Sequence, residues 1–209
     1  MFTLIKREIE DHIAYFIGAI ILSAVLTALL TSAIYYDDPD ERLVFIGLSI
    51  PVIVVLIIGF SGMGVSQMYT DRSRKISAFL SGLPVTRAKI LAARIITGIL
   101  AILIVILPQI ITAKLLCNLF APPIPIVSKI IFDISIVTFL TAFACYCLGL
   151  QTGWTSSRIT PTLGGLVLTC ILVPLILIKG FGLHIKVILV LFIFASLICI
   201  WQKFKSTAL

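Results

Sequence analysis

The residues of this chain equipped for chemistry are few, and their spacing assembles none of them into a reaction centre. Five cysteines, Cys117, Cys145, Cys147, Cys170 and Cys199, lie in or beside apolar segments. None forms a CxxC, and no histidine stands near enough in sequence to complete a metal site, so they read as small packing residues. The two histidines, His12 and His184, fall on opposite sides of the topology derived below and cannot share a metal or a haem within one subunit. There is no GxxxxGK[ST] loop, no HExxH and no Ser/His/Asp set in one compartment. The expectation is a chain without a catalytic centre, metal ligand or cofactor of its own, and not an enzyme.

What the chain concentrates instead is positive charge. Arg72, Arg74, Lys75, Arg87 and Lys89 gather in residues 69–90, between two long apolar segments. Each would cost roughly 2.5–3.5 kcal/mol at the centre of a bilayer, which places the stretch outside the hydrocarbon. Within it Ile76, Phe79, Leu80 and Leu83 recur at i, i+3, i+4 and i+7, one apolar face of a short helix that Pro84 stops. Such a helix either lies on the lipid surface or offers its apolar face to a partner protein.

The elements that must hold this stretch are membrane spans. Of 209 residues 60 % are apolar and 12 % charged, against about 45–50 % and 25 % in soluble domains. Mean hydropathy is +1.22, and the expected fold class is an all-α integral membrane protein. The net charge of +7 resides at span ends rather than on a solvated domain, which argues for a membrane rather than a nucleic acid as the partner of these cations.

Six apolar runs, at about 13–36, 43–68, 92–116, 130–152, 161–178 and 185–201, form a single transmembrane domain over residues 1–209. Ahead of them Phe2, Ile5 and Ile9 share a helical face among charged residues, as an interfacial elbow helix would. Ala19, Ser23, Thr27 and Thr31 make a small-residue stripe on the first span, a face for close packing. The second span ends in a cluster of Gly59, Ser61, Gly62, Gly64, Ser66 and Gln67, which permits tight packing, a kink or the lining of a polar path. Pro108 bends the third span beside Gln109, whose amide serves either an interhelical hydrogen bond or a substrate. Asp133 follows Lys129 by four residues, the spacing of a surface ion pair. Under this topology eleven cations lie on one side and five on the other; the larger set marks the cytoplasm, so both termini are cytoplasmic and the chain belongs in a cell membrane.

Gln67, Tyr69, Asp71 and Arg72, then Phe79, Leu80, and the run Leu83, Pro84, Val85, Thr86, Arg87, Lys89 and Ile90 entering the third span, resemble the permease subunits of bacterial ABC-2 type ABC transporters. The six-span order extends the resemblance over essentially the whole chain. Arg74 and Lys75 stand where many relatives carry glycine and a small polar residue. The resemblance implies an inner-membrane exporter built from a homo- or heterodimer of such subunits, driven by a separate cytoplasmic ATPase that binds ATP and magnesium. It further implies an ATPase-coupling helix comprising Asp71, Arg72, Arg74, Lys75, Ile76, Phe79, Leu80, Leu83, Pro84 and Arg87. A pathway lined by Ser61, Ser66, Gln67, Gln109, Thr162 and Thr169 would accompany it. The competing reading is a non-transporting anchor of a membrane complex.

Overall fold

A computed structural model describes residues 2–35, 39–73, 87–120, 125–153, 167 and 182–206. These residues are all helical apart from short joints, in the order α1 (Phe2–Asp11), α2 (Ile13–Tyr35), α3 (Pro39–Ser73), α4 (Arg87–Phe120), α5 (Pro125–Gly153) and α6 (Leu183–Ser206). Five of them carry segments long and apolar enough to cross a membrane: Ile13–Ser32, Gly47–Tyr69, Ala88–Leu115, Phe132–Gly153 and Leu183–Lys203. The protein is a multi-pass membrane protein. The fifth of the six expected spans, 161–178, lies outside the described residues save Val167.

The boundaries follow from local chemistry. α1 is sharply amphipathic and α2 is apolar all round, and the chain turns between them at His12. There the His12 N–H donates to the Ile9 carbonyl at 3.2 Å and the Tyr15 N–H to the His12 carbonyl at 3.0 Å, a tight i+3 turn. The His12 Nδ1 lies 3.1 Å from the Glu8 carbonyl. A carbonyl only accepts, so this nitrogen carries the proton and caps a carbonyl that α1's last turn would leave orphaned. Proline begins both α3 and α5, where its missing N–H costs nothing. Sequence patterning reads 122–125 as a proline-rich outer loop closed to helix; α5 instead starts on Pro125, five residues before the expected span.

α5 is the central helix. From Thr141 to Leu150 every residue is buried, whereas only 22 % of the α2 and α6 spans is buried, so those two are peripheral. α3 runs parallel to α5 and meets it through glycine. A Cβ on Gly64 would stand 2.6 Å from the Tyr146 carbonyl oxygen, one on Gly153 would stand 2.7 Å from that of Val65, and one on Gly149 would fall on the Ser61 carbonyl. Backbones approach this closely only where side chains are absent, which is how membrane helices gain contact without a hydrophobic drive. Gly59 and Gly62 face open space; of the glycine cluster expected to pack, Gly64 makes the contact. α2 lies parallel to α4, joined by the stripe of Ala19 and Ser23, both buried.

Candidate functional site

A cluster of buried polar side chains lies at one end of the bundle, where α3 ends, α4 begins and α5 ends. Arg94 stands at the centre, 1 % exposed. It is about two turns inside α4 and in phase with the buried positions Ile90, Thr97, Ala101 and Val105, so helix geometry turns it inward. Its Nε donates to Glu8 Oε1 on α1 at 3.4 Å, and its Nη1 approaches Met68 Sδ on α3 at 3.5 Å. Its backbone carbonyl lies 2.9 Å from the hydroxyl of Tyr146 on α5. One residue of α4 thus touches three other helices.

The Tyr146 hydroxyl also lies 2.6 Å from Gln67 Oε1, while Gln67 Nε2 is buried without a partner. Tyrosine has one proton to donate, and two acceptors cannot both receive it. Exchanging the oxygen and nitrogen of the Gln67 amide resolves the conflict: Nε2 donates to the Tyr146 oxygen, which donates to the Arg94 carbonyl. The resulting chain joins α3, α5 and α4 in a single direction. Tyr146 reaches this place because Gly98 has no side chain, and the ring rests on that glycine. Phe143 and then Phe139 stack behind it, each pair of ring centroids 6.2 Å apart.

Charge at the node is compensated across helices. Glu8 is an acidic partner of Arg94, with His12 3.9 Å away on its other oxygen. α1's remaining pairs, Lys6–Glu10 at 3.8 Å and Arg7–Asp11 at 3.7 Å, stay on its exposed face. Surface pairs of that kind contribute about 0–1 kcal/mol, whereas removing one partner of a buried pair costs about 3–5 kcal/mol. Glu8–Arg94 therefore fixes α1 to α4, supported by Ile9 packing on the core. α1 is held by the bundle as well as by any lipid beneath it.

The residues expected to act together are distributed as follows. Ser61 is buried on the α3–α5 contact and Ser66 is half-buried. Gln67 belongs to the node. Gln109 lies elsewhere, between α4 and α2, where its Nε2 donates to the Ser23 carbonyl at 3.0 Å and to Thr27 Oγ1 at 2.9 Å. Its Oε1 is buried without a partner. Asp71 and Arg72 fall in the last turn of α3, and Arg87 opens α4; their side chains are outside the described set. Arg74, Lys75, Ile76, Phe79, Leu80, Leu83, Pro84, Thr162 and Thr169 lie outside the described residues. Asp133 pairs with Lys186 of α6; the side chain of Lys129, its expected partner, is outside the described set. Among the described residues no group of His, Cys, Asp or Glu is arranged to hold a metal ion.

Arg94 is one of the eleven cations counted above on the cytoplasmic side; its burial, and the parts played by Glu8 and Tyr146, were not among the expectations. Neither a family model, nor a curated protein, nor a solved structure matches the chain.

Proposed function

We propose that the chain is the membrane-spanning permease subunit of an ABC-2 type exporter, driven by a separate cytoplasmic ATPase that docks on residues 76–83. The observation that carries this reading is that the amphipathic α1 is held at the end of the bundle where α3 ends and α4 begins. α1 is clamped to α4 there by Glu8–Arg94. At the same end α3 delivers the basic, amphipathic stretch after Ser73 and α4 takes it back at Arg87, seven residues or about 10 Å of helix before Arg94. A lipid anchor alone would not require the chain around such a stretch to be tied to three neighbouring helices.

The six-span order has independent support. Lys186 near the start of α6 meets Asp133 near the start of α5, and α6 continues along the core through the buried Leu189, Ile193 and Ile200. The two neighbours therefore run parallel. A parallel pair needs the chain to return to its first side between them, as a further span within the interval 154–182 would do. Both termini then share the side of the basic stretch. Leaving the buried Arg94 out of the count gives ten cations on that side against five, so the bias toward a cytoplasmic assignment survives.

Affinity purification of the tagged full-length chain from its native membrane tests the proposal. Recovery of a nucleotide-hydrolysing ATPase in stoichiometric amount is expected. Recovery of a stable complex with no ATPase in it would instead favour the anchoring reading.

A further inference from the structure

We infer, resting on that functional reading, that Arg94 is a positioning residue through which α1 and α5 hold the chain ends flanking residues 74–86, so that partner-driven turnover depends on the Glu8–Arg94 pair while partner binding does not. Arg94 is 1 % exposed and is placed to transmit displacement. Its side chain is joined to α1 through Glu8 and to α3 through Met68, and its backbone carbonyl accepts from Tyr146 of α5. The basic stretch emerges from α3 five residues after Met68 and re-enters α4 seven residues before Arg94. A push delivered to that stretch by a partner reaches both α3 and α4 within two helical turns of this one side chain.

The charges of α1 sort in the same sense. Lys6, Arg7, Glu10 and Asp11 neutralise one another at i,i+4 on the exposed face. Glu8 instead turns inward, its side chain 19 % exposed, to Arg94. Its position three residues after Ile5 and four before His12 puts it on the inward face of α1, so the pairing follows from register. The surface that a partner would grip, by contrast, is supplied by residues 76–83 and does not include Arg94. Binding and transmission are consequently carried by different residues.

The test uses the full-length chain co-purified with the ATPase that the tagged wild type recovers, and compares Arg94→Glu, Glu8→Arg and the double exchange, with Lys6→Ala as an exposed-pair control. Partner recovery and ATP turnover per recovered complex are both measured. Each single exchange is expected to retain the partner within about twofold, yet to lose at least about tenfold in turnover, the rate equivalent of one charge-assisted hydrogen bond. The double exchange should restore turnover to within about threefold of wild type, since the coupling resides in the pair. Lys6→Ala should be silent. Wild-type turnover in the single exchanges overturns the inference, as does joint loss of partner and turnover without recovery in the double. A double exchange that restores membrane abundance but not turnover overturns it too, by reducing the pair to a folding contact. A wild-type chain that recovers no ATPase removes the functional reading itself, and the inference with it.

Discussion

The ring of Tyr146 rests on Gly98, so close that a methyl group on that glycine would occupy the ring's own position. Gly98→Ala should therefore displace the ring and break its hydrogen bonds to Gln67 and Arg94. The expected loss is about 1–3 kcal/mol for the overpacking, read as a lower unfolding temperature of the detergent-extracted protein. In a Tyr146→Ala background the same substitution should cost little. An equal cost in both backgrounds would locate the clash somewhere other than the ring.

Glycines of α3 and α5 should differ sharply from one another. Gly149→Val drives a side chain into the Ser61 carbonyl, while Gly62→Val enters open space. Thermal unfolding of the two variants should place Gly149→Val well below wild type and Gly62→Val near it. The reverse order would mean that the α3–α5 contact is misassigned.

Gln109 donates to Ser23 and Thr27 across the α2–α4 contact, and interhelical hydrogen bonds of this kind average about 0.6 kcal/mol, with a ceiling near 1.7. Gln109→Leu removes those bonds and also the buried Oε1 that lacks a partner. A small loss of stability with turnover retained is the expected result. Abolished turnover at unchanged stability would give Gln109 a place in the transport path.

How much of this was legible in the chain depends on whether the deciding neighbour was local. The amphipathic face of α1 is readable from Phe2, Ile5 and Ile9, and the long apolar runs announce the spans. Arg94 was readable in part. Its phase with Ile90, Thr97 and Ala101 points inward, but cations near a span end ordinarily face the headgroups, and that rule prevailed. Nothing in one sequence says that Glu8, from another helix, will neutralise it. Asp133 shows the same limit: the near candidate at i,i+4 is Lys129, and nothing local announces that Lys186, on α6, also reaches it. Among the glycines, Gly64 lies in phase with the buried Ile57, Phe60, Ser61 and Met68, whereas Gly62 lies off that face. Composition flagged the cluster; only helical phase separates its members.

Sidedness is open to direct labelling. On a cysteine-free background, Ser73→Cys at the end of α3 should resist an impermeant thiol reagent applied to intact cells, and Leu183→Cys at the exposed start of α6 should react. Labelling of Ser73→Cys from outside would invert the topology and place the basic stretch on the wrong side for any cytoplasmic ATPase.

The central claim is that residues 76–83 dock a partner rather than rest on lipid. A lipid-surface face needs only bulk hydrophobicity, whereas truncating a buried aromatic anchor at an interface typically costs about 2 kcal/mol or more, roughly thirtyfold in affinity, and rim charges cost much less. The decisive measurement is ATPase recovery with Phe79→Ala and with Arg74→Ala, each at membrane abundance matched to wild type. The account predicts that Phe79→Ala stays in the membrane but loses the ATPase and its coupled hydrolysis, while Arg74→Ala is only weakly affected. Undiminished recovery with Phe79→Ala would contradict it and leave the stretch as a lipid-surface helix.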